Sequence, residues 1–298
     1  MCIRDRFYVA DKYNFQAEPD YRKQFEEQLC RLNMDHIDFY LLHGLQDHFV
    51  DEVITNGCIE YFDKKKAEGS IRYLGFSFHG SAQTLRRLLK LYAWDFVQIQ
   101  LNYYDWYCGD AKELYEILQE ADIPVMVMEP AHGGLLADPA GEAAKELSVL
   151  ASEASAASWA FRWVMALDQV QVVLSGMSAE EQVEDNIATF SQADALTKEE
   201  NETIEKAARA QYASISVACT GCRYCCTDCP AGLDIPFLLG QYNKAKMGGA
   251  WRIRELKNIP EEKQPSACIG CGSCTQHCPQ AFAVPEHMVE LRKMLEEI

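Results

Sequence analysis

Short apolar runs recur through the first part of the chain, at residues 7–10, 37–42, 71–76, 96–101, 125–128 and 172–174. Uninterrupted runs of this length read as strands buried on both faces. Between them, residues 21–32, 59–68, 82–92, 111–120 and 158–167 carry apolar positions at helical spacing. Strands alternating with helices predict βαβ units and a parallel sheet. Residues 1–6 (MCIRDR) belong to no recognisable element. Two further helices are predicted where Ser178 with Glu181, and Thr197 with Glu200, stand at capping-box spacing.

The polar residues that end these runs decide between two architectures. Lys12, His43, Ser77, Gln98 with Asn102, Glu129 and Ser175 each follow or close an apolar run. A doubly wound sheet would gather functional groups only at its switch point. A (β/α)8 barrel gathers them at every C-terminal strand end. No GxGxxG follows the first run. The expected fold is therefore α/β: a (β/α)8 TIM barrel lacking its first two βα units. It should occupy residues 1–212, with a small, mainly α-helical ferredoxin-like domain over 213–298. A barrel short of two strands leaves unpaired edges, so the chain is expected to be a fragment with little or no activity of its own.

Composition narrows the class. With 298 residues, 48% hydrophobic and 24% charged, the chain is long enough for one large domain and one small one. A net charge of −17 argues against nucleic acid and anionic membrane as partners. No apolar run approaches a membrane span. The 13 cysteines point to a reducing, cytoplasmic location.

Eight of those cysteines carry the clearest chemistry. Cys219, Cys222, Cys225 and Cys229 follow C-x2-C-x2-C-x3-C and precede Pro230. Cys268, Cys271, Cys274 and Cys278 repeat the spacing before Pro279. This is the bacterial iron–sulfur ligation run, in which the fourth cysteine of each copy usually serves the other cluster. Two 4Fe–4S clusters are expected, one on Cys219, Cys222, Cys225 and Cys278, the other on Cys268, Cys271, Cys274 and Cys229. Zinc would need only paired C-x2-C units and leaves the third cysteine and the trailing proline unexplained. Cys226 reads as a spare thiol beside a cluster.

The stretch DFYLLHGL (38–45), with FYVADK, GFSFHGS, VQIQLNYYD, VMVMEPAHGGLL and VVLSGMSAEEQVEDNI in order, resembles the aldo/keto reductases. With the cysteine runs, the whole chain resembles members of that family carrying an appended 4Fe–4S ferredoxin-type domain. The resemblance implies NADP or NAD, a small carbonyl or alcohol substrate, and an Asp–Tyr–Lys–His tetrad in which a cationic lysine lowers the tyrosine pKa. By position Lys12 matches the lysine and His43 the histidine. The tetrad's Asp and Tyr belong to the first two βα units, and Tyr13 is not a substitute. Ser77 and Gln98 match residues at the nicotinamide carboxamide. Ser175, Gly176 and Ser178 precede a helix N-terminus suited to phosphate, and Asp185 and Asn186 match residues at the adenine. Gln182 stands where NADP-preferring relatives carry arginine, and Met128 where many stack a tyrosine. His79 and His132 read as loop residues.

The expected function is thus an iron–sulfur aldo/keto reductase-like oxidoreductase. The alternative is a ferredoxin-like electron-transfer protein that serves a partner protein and uses the barrel as a docking or redox-sensing scaffold.

Overall fold

The computed structural model describes residues 7–47, 50–139, 141–150, 154–191, 195–214, 216–248 and 250–298; residues 1–6, including Cys2, lie outside them. In chain order the elements are β1 (Ala10–Tyr13), α1 (Tyr21–Leu32), β2 (Ile37–Leu45), α2 (Val50–Thr55), α3 (Cys58–Ala67), β3 (Ile71–Phe78), α4 (Ala82–Leu88) and β4 (Phe96–Gln100). There follow α5 (Tyr103–Cys108), α6 (Ala111–Glu120), β5 (Val125–Met128), α7 (Gly141–Leu147), α8 (Ala156–Met165) and β6 (Val170–Val173). The rest is helical: α9 (Glu180–Ser191), α10 (Lys198–Ser214), α11 (Tyr224–Thr227), α12 (Ile235–Gly248), α13 (Ser273–Gln276) and α14 (Val284–Glu296).

The chain forms two compact units. The first comprises Met1–Leu101, Gly109–Pro130 and Val164–Gly176; the second Asn102–Cys108, Ala131–Trp163 and Met177–Ile298. The division is therefore not a single cut along the chain.

In the first unit, six parallel strands form one sheet in the order β1-β2-β3-β4-β5-β6. Sequential order is the signature of a TIM-barrel-like α/β fold rather than a doubly wound one, whose strand order reverses. The first strand starts later than its apolar run suggested. Phe7 and Tyr8 are exposed, and pairing begins at Ala10. Side chains alternate across a sheet, so one face is set by register: Leu41 pairs with Gly75, Gly75 with Phe96, and Met126 with Val172. Leu41, Phe96 and Met126 form a buried cluster there, with Phe39 and Val172 packed against it. Burying side chains of this size stabilises by about 1.5–3 kcal/mol each. Gly75 is needed where it stands, since a Cβ would sit 2.5 Å from the Phe96 carbonyl oxygen and 2.8 Å from its ring. The edge strand β6 is only half-buried, unlike the continuous burial its apolar run implied.

In the second unit, α10 packs against α5 and α7. The Thr197–Glu200 capping box forms: Thr197 N–H donates to Glu200 Oε2 at 2.6 Å and Glu200 N–H to Thr197 Oγ1 at 3.2 Å. The box expected at Ser178 and Glu181 is replaced by Gln182, whose Oε1 accepts from Ser178 N–H at 2.8 Å and Ala179 N–H at 3.3 Å. Leu233, Ile235, Leu238, Leu239, Met288 and Leu291 build a separate core between α12 and α14. The stretch around WRIRELKN is a run of 3-10 turns (Ala250–Asn258), not an α-helix.

Candidate functional site

On the first unit's sheet, the face that carries Leu41, Phe96 and Met126 ends in polar groups. Lys12 is paired with Leu41, and Ser77 with Gln98. His43 sits within an irregularity of β2, where the pairing with β3 shifts between Leu42 and Leu45. Such bulges re-aim side chains beside functional sites. This one is fixed across the strands: Gly44, at φ 60, donates its N–H to the buried Ser77 Oγ at 2.7 Å, and His79 N–H donates to Leu45 O at 2.9 Å. Asp47 closes the same turn by accepting from Ser81 N–H and Oγ.

Burial governs the charges here. It lowers the Lys12 ammonium pKa, with Asp11 opposing. His43 is held down at about 4, by burial first and then by the nearby Lys12 cation. His79 is likewise held at about 4, by burial, His43 and Lys12 in that order. Lys12 of β1, His43 of β2 and His79 just after β3 therefore form one electrostatically coupled group, with both imidazoles neutral near pH 7. His79 lies in the loop just after β3, as its sequence context suggested, and from there it joins this group. Only the spacing of GFSFHG, two residues past Ser77, hinted at it.

Tyr13 stays outside this group. Its hydroxyl donates to Pro19 O at 2.9 Å, and burial pushes the phenol up to about 12. That is the reverse of an activated tyrosine. Gln98 is buried and donates from Nε2 to Met128 Sδ at 3.2 Å. Ser77 and Gln98 thus lie side by side as amide- and hydroxyl-bearing neighbours, which suits a nicotinamide carboxamide; the Ser77 hydroxyl also serves the bulge.

Ser175 is half-buried and Gly176 exposed, just after β6. The start of α9 fits phosphate poorly. Gln182 already takes the Ser178 and Ala179 N–H groups, and Glu180 and Glu181 occupy the first turn. Those carboxylates suit the helix dipole but repel an anion. Asp185 accepts from Ser155 Oγ at 2.7 Å, and Asn186 is buried.

The two cysteine loops adopt the same backbone. Gly221 and Arg223 in the first, and Gly270 and Gly272 in the second, are left-handed; so are Gly232 and Ala281 further on. The bonds match as well. Cys226 N–H donates to Arg223 O and Thr275 N–H to Gly272 O; Gly232 N–H donates to Cys229 O and Ala281 N–H to Cys278 O. Each loop feeds a helix opening on an apolar residue and proline, Ile235-Pro236 or Val284-Pro285.

The thiols group across the repeats. Cys219, pushed up to about 11 by burial, also feels Cys222, Cys278 and Cys226. Cys225, raised by burial, feels Cys226, Cys222 and Cys278. Cys274 is raised by burial and by Cys268 and Cys271. Cys229, Cys268, Cys271 and Cys274 line one pocket, walled by Leu233, Ile235, Val284 and Met288. Among the described residues no group of three His, Cys, Asp or Glu is arranged to hold a single metal ion; the thiols ring a volume instead. Crowded buried thiols disfavour the thiolate, and a cationic iron core at their centre reverses that. Cys278 thus lies with the first run's Cys219 and Cys225, and Cys229 with the second run's Cys268, Cys271 and Cys274.

A TIM-barrel-like α/β sheet with chemistry at its strand ends, joined to a duplicated cysteine module, defines the class. The aldo/keto reductase family model matches residues 3–209, and a 4Fe-4S dicluster domain matches residues 218–283. The chain belongs to the aldo/keto reductase family and carries a 4Fe–4S dicluster domain C-terminal to the match. It is 27% identical over 207 residues to the uncharacterized oxidoreductase YqkF of Bacillus subtilis, covering 62% of this chain and 64% of that one. It is 26% identical over 215 residues to L-galactose dehydrogenase of Arabidopsis thaliana, covering 65% and 66% respectively. The chain thus spans slightly less than two thirds of either relative's length. An apo aldo-keto reductase from Bacillus halodurans superposes with TM-score 0.54 at 29% identity, over 69% of this chain and 72% of that one. The fold is shared with an aldo/keto reductase from Klebsiella pneumoniae in complex with NADP and acetate, at TM-score 0.56 and 22% identity over 68% and 71% of the two chains.

Proposed function

We propose that the protein is an iron–sulfur aldo/keto reductase-type oxidoreductase that interconverts a small carbonyl and its alcohol with a nicotinamide nucleotide. The observation that carries this reading is the Lys12–His43–His79 group at neighbouring strand ends. A docking scaffold has no use for a lysine and two imidazoles held uncharged or weakly basic in one place. The bound nucleotide would supply hydride, and with it both electrons of the reduction, to the carbonyl carbon; each cluster would be able to hold one electron outside that step. The chain's own part lies at the oxygen. Neutral His43 and His79 offer N–H groups to hold it, and Lys12, made more acidic by burial, offers the proton. Ser77 and Gln98 would hold the nicotinamide amide. The cluster ligands are Cys219, Cys222, Cys225 and Cys278 for one centre, and Cys268, Cys271, Cys274 and Cys229 for the other.

Gln182 favours a second reading, because it occupies the N–H groups that a dinucleotide phosphate would need. On that reading the module passes electrons to a partner protein and the sheet is a scaffold. Anaerobic protein should be titrated with NADPH and NADH, then assayed with small aldehydes. Nucleotide binding, and aldehyde reduction lost in His43→Ala, supports the oxidoreductase. Cluster reduction by a protein donor with no nucleotide binding supports the second reading.

A further inference from the structure

His132 lies four residues past the end of β5, and its ring is 1% exposed. Its Nδ1 is 3.2 Å from Asp105 Oδ2, and its Nε2 is 3.2 Å from the carbonyl oxygen of Ala218. The neighbouring bonds fix which atoms carry hydrogen. Asp105 N–H donates to Asn102 Oδ1 at 2.8 Å, so the Asn102 amide nitrogen is the atom 2.7 Å from Asp105 Oδ2. Asp105 Oδ2 therefore accepts from Asn102 as well as facing His132. A peptide carbonyl can only accept, and so can a carboxylate. A carboxyl group ordinarily loses its proton well before an imidazolium does. Hydrogen on both ring nitrogens makes each of these contacts a donated bond, with the ring then a cation paired with Asp105.

The carbonyl it holds belongs to the peptide that joins Ala218 to Cys219, the first cysteine of the first run. The surrounding backbone is pressed together. Gly133 is at φ 62, and a Cβ there would come within 2.2 Å of Thr220 O. The Val217 backbone is held on both sides by Asn243, accepting at 2.9 Å and donating at 2.6 Å. The Tyr104 ring packs edge-on to His132, with centroids 5.0 Å apart.

We propose that His132, held by Asp105 and Asn102, is a positioning residue that raises the reduction potential of the cluster on Cys219, Cys222, Cys225 and Cys278, and so sets it apart from the other. In the buried His132–Asp105 pair it is the cationic ring that faces the ligand's own peptide, and that end favours the added electron, since few waters screen it. Hydrogen bonding and charge around the ligands are the levers by which proteins tune such clusters. The pair would thus order the two centres, making the first the natural resting place of an electron.

The proposal rests on the cluster reading, so iron and sulfide are measured first. Zinc without sulfide in the wild-type protein would overturn that reading, and this proposal with it. His132→Gln removes the charge while keeping an amide of similar reach. Redox titration followed by electron paramagnetic resonance should then show the reduced-to-oxidised ratio of the first cluster falling about tenfold at a fixed potential, equivalent to about 59 mV for one electron. The second cluster should stay where it was. An unshifted first cluster at full iron content, or an equal shift in both, overturns the proposal. Should the variant not assemble, histidine-labelled wild-type holoprotein decides by 15N spectroscopy. One of the seven histidines should remain doubly protonated at pH 8; if none does, the proposal fails.

Discussion

The strand-end group and the cysteine loops solve opposite electrostatic problems. Lys12, His43 and His79 come from β1, β2 and the loop just after β3, and burial disfavours the charged form of each. The cysteines come from two short loops, and burial and mutual repulsion push Cys219 and Cys225 towards the neutral thiol. Neutral imidazoles suit the role proposed for the first site, in which they would donate hydrogen bonds to a substrate oxygen. Neutrality is unfavourable for the second, whose ligands must be thiolates and therefore depend on iron to ionise. One site is prepared by the protein alone; the other is completed by what it binds.

The largest expected effect tests how far the cysteine loops act as separate units. Cys278→Ala should cost the cluster on Cys219, Cys222 and Cys225, removing about four of about eight irons. Iron and sulfide assays with electron paramagnetic resonance would identify the missing centre. Loss confined to the cluster of Cys268, Cys271 and Cys274 contradicts the exchanged ligands.

Gly133→Ala should come next. It combines left-handed strain with a clash against Thr220 O, at about 3 kcal/mol together. Denaturant midpoints of the holoprotein would measure it, and a loss under about 1 kcal/mol would mean that the two backbones separate easily.

The strand-end group predicts a pH dependence that the cysteine loops do not share. His43 and His79 sit at about 4 against an ordinary 6.5, so between those values the unfolded chain binds protons that the native chain refuses. Their contribution to stability is complete above pH 6.5 and is lost as pH falls through that window towards 4. In urea titrations from pH 7 to 4, His79→Gln should flatten the slope. An unchanged slope would place His79 in water.

The smallest effects separate the two loops. Gly272→Ala has open space around it but a φ of 76, so it should cost about 1 kcal/mol. Arg223 occupies the equivalent left-handed position at φ 66, with an ion pair to Asp234 at 3.1 Å. Arg223→Gly should therefore stabilise, by at most about 1 kcal/mol. Thermal melts of both variants would show opposite signs; a shared sign would mean that the loops are not equivalent.

Local chemistry is what the sequence by itself determined. The strand and helix rhythm follows from periodicity. The cysteine spacing holds Gly221, Gly270 and Gly272 at turns that only glycine adopts without strain. The capping pair Thr197–Glu200 works because both partners lie within one helical turn. Five short helices, α2, α5, α7, α11 and α13, escaped notice because four to seven residues span too few turns to show a period. Tertiary structure decided whatever depended on residues distant in sequence. His79 joined Lys12 and His43 only through strand register and the β2 irregularity. His132 is enclosed by groups distant in sequence: Asp105, 27 residues before it, and Ala218, 86 residues after it, meet its two nitrogens. A histidine's charge is set by what its two nitrogens face, and only the folded chain fixes that.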